Sequence, residues 1–250
     1  MAVMSRFKKI FIVAAVFFIA IAALWLYSSR KPDVTNGGVL DPSAIAGRFR
    51  ALEIRKEGLT DEQKTEYNDL FLTARNQLDE AVQSIQREGE SVLPLLYWPL
   101  IGLGNIYRDT GNLDTAEEAY LIAHEVAPDA FVPLSNLGDL YFRYLNDYKR
   151  AEEYYLQAVV FTDLGEVYAE TFYQELYELY RFHLKDTSKA EDILIQGVKQ
   201  YPQAYGILTT LARYYLDTGD LDNARSRYHE LLVKKPDSEV AKKALAELGQ

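Results

Sequence analysis

Cysteine is missing from this 250-residue chain, which removes disulfides, a thiolate nucleophile, cysteine-ligated zinc and a lipid-modified N-terminal cysteine together. Histidine is scarce: His124, His183 and His229 each stand alone, without the HExxH spacing that sets two ligands on one helix face. Those three are expected to pack or to face solvent. No GxxxxGK(S/T) phosphate loop occurs, and Gly102-x-Gly104 lacks the third glycine of a dinucleotide fingerprint and follows no strand. The segment Asp217–Asp222 looks superficially like a calcium loop but lacks the alternating acids and distal glutamate of one. The same turn recurs at Asp109–Asp114, so a repeated turn explains both copies. Basic clusters are confined to one end. Arg6, Lys8, Lys9, Arg30 and Lys31 stand among the first 31 residues with no acid, so against an overall charge of −10 the remaining chain carries −15. An acidic body argues against nucleic acid, because phosphate contact needs clustered lysine and arginine. No cofactor and no metal are expected, and no constellation of side chains reads as catalytic.

What the chain does contain begins with Ile10–Tyr27, 18 consecutive apolar residues. A helix of that length nearly spans a hydrocarbon core of ~30 Å. Trp25 and Tyr27 sit at one end, where aromatic rings favour the interface. The reading is an uncleaved single-pass anchor over residues 1–31 with its short tail. The alternative is a cleaved signal peptide, although its small-x-small signal at Ala20-x-Ala22 lies inside the apolar run. The three basic residues of the N-terminal tail favour keeping that end cytoplasmic, with the large domain outside. Residues 32–42, rich in Pro, Gly, Asn and Asp, read as a flexible tether.

Residues 43–90 read as two helices forming a divergent hairpin or cap, Ser43–Glu57 and Thr60–Arg87, with Gly58 between them. Thr60 and Gln63 match a capping box. Tyr67, Leu70, Phe71, Ala74, Leu78, Ala81 and Ile85 form one apolar stripe. Then a pattern repeats. In Tyr97–Pro128, Leu100, Leu103, Gly104 and Tyr107 make one helix face, Gly111-Asn112 breaks it, and Ala116, Tyr120 and Ala123 make a second face before Pro128. The small residues Gly104 and Ala116 let two antiparallel helices approach. The first-helix pattern returns 34 residues later at Leu134, Leu137, Gly138 and Tyr141, followed by Ala151, Tyr155 and Ala158 after a turn one residue longer. A third copy has Tyr173, Leu176, Tyr177 and Tyr180, then Ala190, Leu194, Gly197 and Pro202. Tyr177 replaces the small residue there, so looser packing is expected. About four extra residues within Val159–Ala169 precede it, read as a loop or an added turn on the preceding helix. A fourth copy has Leu208, Leu211, Ala212 and Tyr215, then Ala224, Tyr228, Leu231 and Pro236. Ser238–Leu248 reads as a polar-faced capping helix with Val240, Ala241, Ala244, Leu245 and Leu248 turned inward.

These units resemble the tetratricopeptide repeat, whose pattern is W-x2-L-G-x2-Y, then A-x3-F, then P. Leu100 stands for the Trp and Tyr120 for the Phe. The resemblance implies an all-α, right-handed α-solenoid of helix pairs, following the transmembrane helix. The four repeats span about 97–130, 131–169, 170–204 and 205–238 within residues 91–238, and residues 239–250 cap them. It also implies a concave groove, lined by the first helix of each pair, that binds a protein or peptide. Carried over by position, the lining is Trp98, Ile101, Asn105 and Arg108; Ser135, Asp139 and Phe142; Gln174, Glu178 and Arg181; Thr209 and Arg213. Ile101 and Ser135 occupy places where a carboxylate clamp would hold lysine, which argues for a mixed aromatic and polar groove. The function expected is a membrane-anchored scaffold or adaptor in envelope assembly, secretion or chaperoning, set in a bacterial inner membrane with the repeats outside the cytoplasm. A secreted soluble repeat protein is the alternative, and a hydrolase using a groove carboxylate such as Asp139 a further one. Tyr144, Tyr148 and Tyr154 are candidates for a self-association face.

Overall fold

The computed structural model describes residues 35–36, 39–160 and 165–249. The expected anchor Ile10–Tyr27, its basic flanks and Asp163 lie outside the described residues. Among those described, no helix is long and apolar enough to cross a membrane. The chain divides into two units, residues 1–157 and 158–250.

In the first unit, β1 (Thr35–Asn36) and β2 (Val39–Leu40) pair antiparallel, with Thr35 opposite Leu40. The expected tether is therefore partly paired. It ends at Asp41, whose carboxylate accepts from the N–H groups of Ser43 and Ala44 and caps α1 (Pro42–Arg48). The helix expected over Ser43–Glu57 stops there. From Phe49 onward the chain runs as a strap, because its polar backbone finds partners outside a helix. The N–H groups of Arg55 and Lys56 donate to the carbonyl of Thr110 at 2.8 and 2.9 Å. The Asn112 amide donates to the Glu53 carbonyl, and the Tyr107 hydroxyl to the Ala51 carbonyl at 2.9 Å. Phe49 is buried against Tyr107, their ring centroids 6.1 Å apart.

Helix α2 (Asp61–Glu88) opens with the expected capping box, Thr60 and Gln63 bonding reciprocally. Its inward stripe is Phe71, Ala74, Leu78, Ala81, Val82 and Ile85, while Leu70 faces out and Tyr67 is half-buried. A 3-10 segment (Glu90–Leu96) leads into the first helix pair, α3 (Tyr97–Asp109) and α4 (Leu113–Val126). The second pair is α5 (Val132–Asp139), continuing through a π-helical turn (Leu140–Leu145), and α6 (Tyr148–Ala158).

The second unit holds α7 (Glu166–Glu178), again ending in a π-helical turn (Leu179–His183), with α8 (Thr187–Gln200). It continues with α9 (Tyr205–Thr218), α10 (Leu221–Lys234) and the capping helix α11 (Glu239–Glu247). Helix α7 starts four residues before Glu170, with the Gly165 carbonyl accepting from Tyr168 and Ala169 N–H at 3.0 and 3.1 Å. Part of the insertion before the third repeat is thus an added first turn on the following helix, not on the preceding one. In α11, Ala241, Ala244 and Leu245 are buried and Leu248 partly so, but Val240 is 49% exposed, contrary to its expected inward role.

The longer turns of repeats two and three are built into the helix ends. In repeats one and four the carbonyls of Tyr107 and Tyr215 accept from Asn112 and Asp220 N–H at 2.7 and 2.9 Å. Gly111 and Gly219 between them sit at φ +89° and +81°, the left-handed conformation that a side chain makes costly. In repeats two and three the matching carbonyls, Tyr141 and Tyr180, accept from Asp147 and Asp186 at 2.9 and 2.8 Å. The extra residue widens the last turn into a π-helix. The left-handed positions there fall on Asn146 (φ +54°) and Lys185 (φ +55°). Asparagine adopts that conformation at little cost and lysine at a larger one. Lys185→Gly is therefore expected to stabilise the second unit by about 1 kcal/mol, and Asn146→Gly to change little, as read from urea-denaturation midpoints.

Candidate functional site

The small-and-large packing rule that defines each pair can be read in atomic terms. An added Cβ on Gly104 would lie 2.4 Å from the Tyr120 ring, and one on Gly138 2.6 Å from Tyr155. Each ring crosses the glycine of the opposite helix, and its hydroxyl emerges on the far side. There Tyr120 donates to Asn105 at 2.8 Å and Tyr155 to Asp139 at 2.6 Å. In the third repeat the arrangement is exchanged: Leu194 stands where the ring would be, Tyr177 fills the glycine position, and the Tyr173 ring closes on Gly197, 2.8 Å from an added Cβ. Close approach is kept there, at another point along the helices, rather than loosened as expected. Stacking between repeats uses another tyrosine. Tyr141 donates to Glu117, and Tyr215 to Glu191 at 2.8 Å. Both acceptors follow the small alanine that opens a second-helix stripe. Tyr107, in the first repeat, bonds the strap instead. At the other end Arg225 occupies the acceptor's place and donates to the Leu248 carbonyl at 3.2 Å.

These buried hydroxyls titrate late. Burial pushes Tyr107 and Tyr173 up to about 12; burial and then Glu117 do the same for Tyr141, and burial and then Glu191 for Tyr215. Tyr120 is raised further, chiefly by burial. Below the unfolded value of about 10 both states are protonated and the contribution is whole. As pH rises from 10 through 12 the unfolded chain ionises first, so stability is lost across that window. Thermal melts are expected to fall in this range together with the rise of tyrosinate absorbance.

Against this frame the predicted lining residues separate. In the first unit Ile101 and Phe142 are 5% and 6% exposed and belong to the core, so they are not groove contacts. Phe142 packs edge-on against Tyr148 and Tyr155. Asn105 and Asp139 hold the tyrosine hydroxyls, and Asp139 also faces Arg143 at 3.6 Å. Ser135 donates to the Val132 carbonyl at 3.0 Å. Arg108 is paired with Asp109 at 2.9 Å and lies 5.7 Å from the Tyr144 ring centre. Trp98 is 67% exposed, touching Tyr97 edge-on. In the second unit Gln174 is half-buried, Glu178 and Arg213 are exposed, and Thr209 donates to the Tyr205 carbonyl at 2.7 Å. Arg181 is half-buried and lies 5.2 Å over the Tyr214 ring. Of the tyrosines considered for self-association, Tyr154 is buried and stacked flat on Tyr141 at 5.5 Å. It is a packing residue, which leaves Tyr144 exposed and Tyr148 half-buried.

Sequence reasoning missed the polar anchor of the strap. Thr110 is 0% exposed and Asn112 4%, and both are satisfied: Thr110 by the Ile106 carbonyl and the strap, Asn112 by Glu53 and by Thr110 at 3.1 Å. The signal was present in Asp109–Asp114, which recurs at Asp217–Asp222 with its residues 217–220 exposed. It also missed Glu170, which accepts from Gly206 N–H at 3.0 Å and seats its carboxylate at the start of α9. No group of three or more His, Asp or Glu converges as a metal site among the described residues.

Three tetratricopeptide repeat family models match the chain, over residues 95–159, 134–192 and 182–248. The chain belongs to the tetratricopeptide repeat family. Among solved structures it is similar to BtubC from P. vanneervenii, at 16% identity and a TM-score of 0.52, covering 73% of this chain and 82% of that one. It is also similar to YrrB, described as a TPR protein with an unusual peptide-binding site, at 17% identity and 0.43, covering 67% and 90%. A third likeness is to the APC/C Cut9–Hcn1 hetero-tetramer, at 19% identity and 0.44; it covers 74% of this chain but only 40% of that one. These likenesses concern the fold. Among curated proteins none matches the sequence.

Proposed function

We propose that this tetratricopeptide repeat protein is a membrane-anchored scaffold that binds a protein or peptide partner through the first helices of its helix pairs. The observation carrying this is Trp98: it stands on a first helix at a lining position and is 67% exposed. Its ring is left largely in water apart from the edge-on contact with Tyr97, and tryptophan is among the residues that dominate binding energy when an interface covers them. The repeats support a protein-interaction role. The apolar run Ile10–Tyr27 supports the anchor, which would raise the effective concentration of the binding face for membrane-linked partners. Envelope assembly, secretion and chaperoning at a bacterial inner membrane are the settings this architecture suits.

Two measurements test the proposal. Crosslinked pull-down from membranes is expected to recover partners with the wild type and to lose them with Trp98→Ala; unchanged recovery contradicts the binding face. Mass spectrometry of the mature N-terminus is expected to find the apolar run intact, and a start near Ser28 contradicts the anchor.

A further inference from the structure

One turn occurs twice in this chain with nearly the same sequence. Asp109-Thr110-Gly111-Asn112-Leu113-Asp114 and Asp217-Thr218-Gly219-Asp220-Leu221-Asp222 differ at one position. Their internal hydrogen bonds match. Thr110 Oγ1 donates to the Ile106 and Tyr107 carbonyls at 2.7 and 3.2 Å, and Thr218 Oγ1 to the Tyr214 and Tyr215 carbonyls at 2.9 and 3.2 Å. The N–H groups of Gly111 and Gly219 donate to the Arg108 and Leu216 carbonyls, both at 3.2 Å. What lies over the two turns differs. At the first, the Thr110 carbonyl accepts from two successive strap N–H groups, those of Arg55 and Lys56. The strap backbone runs close over the glycine: a Cβ added to Gly111 would lie 3.1 Å from the Lys56 nitrogen. At the second, nothing among the described residues lies within 4 Å of a Cβ added to Gly219, and residues 217–220 are exposed. The space that the strap fills over Gly111 is open over Gly219, and the Thr218 carbonyl adjoins it. The turns also differ in charge. Asp220 stands where Asn112 donates to the Glu53 carbonyl, and Leu216 stands where Arg108 pairs with Asp109 at 2.9 Å. The second turn therefore has one more acid and lacks that arginine.

We infer that the turn Asp217–Asp220 docks an extended segment of a partner protein, which donates two successive backbone N–H groups to the Thr218 carbonyl and carries basic side chains toward Asp217 and Asp220. The backbone chemistry of the occupant follows from the strap, which engages the matching turn of this same chain in that way. Its charge follows from complementarity with the two exposed acids. Main-chain donors supply the attachment and the acids supply the selectivity. This is a second docking surface, at a turn between two helices rather than along the first helices.

The test uses the full isotope-labelled chain in detergent micelles and three end-blocked peptides of equal length. Their central pairs are Arg-Lys, Gln-Gln, and Arg-Lys with both central backbone nitrogens methylated. The Arg-Lys peptide is expected to shift the amide resonances of Thr218–Asp220 and to leave those of Thr110–Asn112, already under the strap, in place. Titration is expected to show about tenfold weaker binding for the methylated peptide, which has lost both donors. The Gln-Gln peptide is expected to bind about threefold more weakly, a difference that fades as salt is raised. Gly219→Asn, which can keep the left-handed conformation, puts a side chain in the segment's path and is expected to abolish the shifts. The methylated peptide needs no variant, so it decides the matter even where Gly219→Asn does not fold. Asp217→Asn/Asp220→Asn is expected to remove the preference for Arg-Lys over Gln-Gln and to keep the effect of methylation, since asparagine also caps α10. The inference is overturned by absent shifts at Thr218–Asp220, by equal binding of the methylated peptide, by shifts that survive Gly219→Asn, or by an Arg-Lys preference that survives the double change.

Discussion

Phe49→Ala is expected to lower the stability of the first unit by about 3–5 kcal/mol, the range for emptying a fully buried phenylalanine site. Phe49 is the apolar end of the strap, wholly buried against Tyr107, which itself meets Phe71 edge-on at 5.9 Å. The loss should propagate along the strap. Without that anchor the Glu53 carbonyl and the paired N–H groups of Arg55 and Lys56 are held only by Thr110 and Asn112. Those two side chains are buried beneath the strap and become costly if their partners leave. Urea denaturation gives the magnitude, and hydrogen exchange should show the Arg55 and Lys56 amides losing protection. A change below about 1 kcal/mol with protection intact would mean the strap is a passive covering.

Gly104→Val should be nearly as damaging. Its Cβ alone would sit 2.4 Å from Tyr120, a ring that is fully buried and fixed at its hydroxyl by Asn105. Overpacking of this kind costs about 1–3 kcal/mol and sometimes more. The small gain in helix propensity over glycine does not offset it. We expect a loss of about 3 kcal/mol. The third repeat supplies the control within the same chain, since it combines a large residue at Tyr177 with Leu194 in place of the ring. Gly104→Val/Tyr120→Leu should therefore be less destabilised than the two single changes added together, by at least about 1 kcal/mol. Simple additivity would mean that the glycine and the ring do not share the space assigned to them.

Both results bear on what the sequence alone could reveal. The helix pairs were legible because their signal is a periodic one: small residues at Gly104 and Gly138, rings at Tyr120 and Tyr155, and prolines at the ends recur at linked spacings. Periodicity says nothing about a segment whose hydrogen bonds go to a distant turn. Phe49–Glu57 therefore read as the continuation of a helix begun at Ser43, although its partner Thr110 lies more than fifty residues away. The π-helical turns were visible only as a longer spacing; where the extra residue goes depends on hydrogen bonds to the Tyr141 and Tyr180 carbonyls. Site residues were harder still. Family position places Ile101 and Phe142 beside Trp98 and Arg213, but neighbouring side chains decide which are covered. The first pair is buried and the second exposed.

The central claim is that partners dock on the first helices, and site-specific photo-crosslinking in membranes tests it most directly. A photoreactive phenylalanine, which keeps an aromatic ring at position 98, replaces, one at a time, Trp98 and Gln174 on first helices and the exposed Ile195 and Val233 on second helices. The expected result is partner adducts from Trp98 and Gln174 and none from Ile195 or Val233. Adducts from Ile195 and Val233, with none from the first-helix positions, would contradict it.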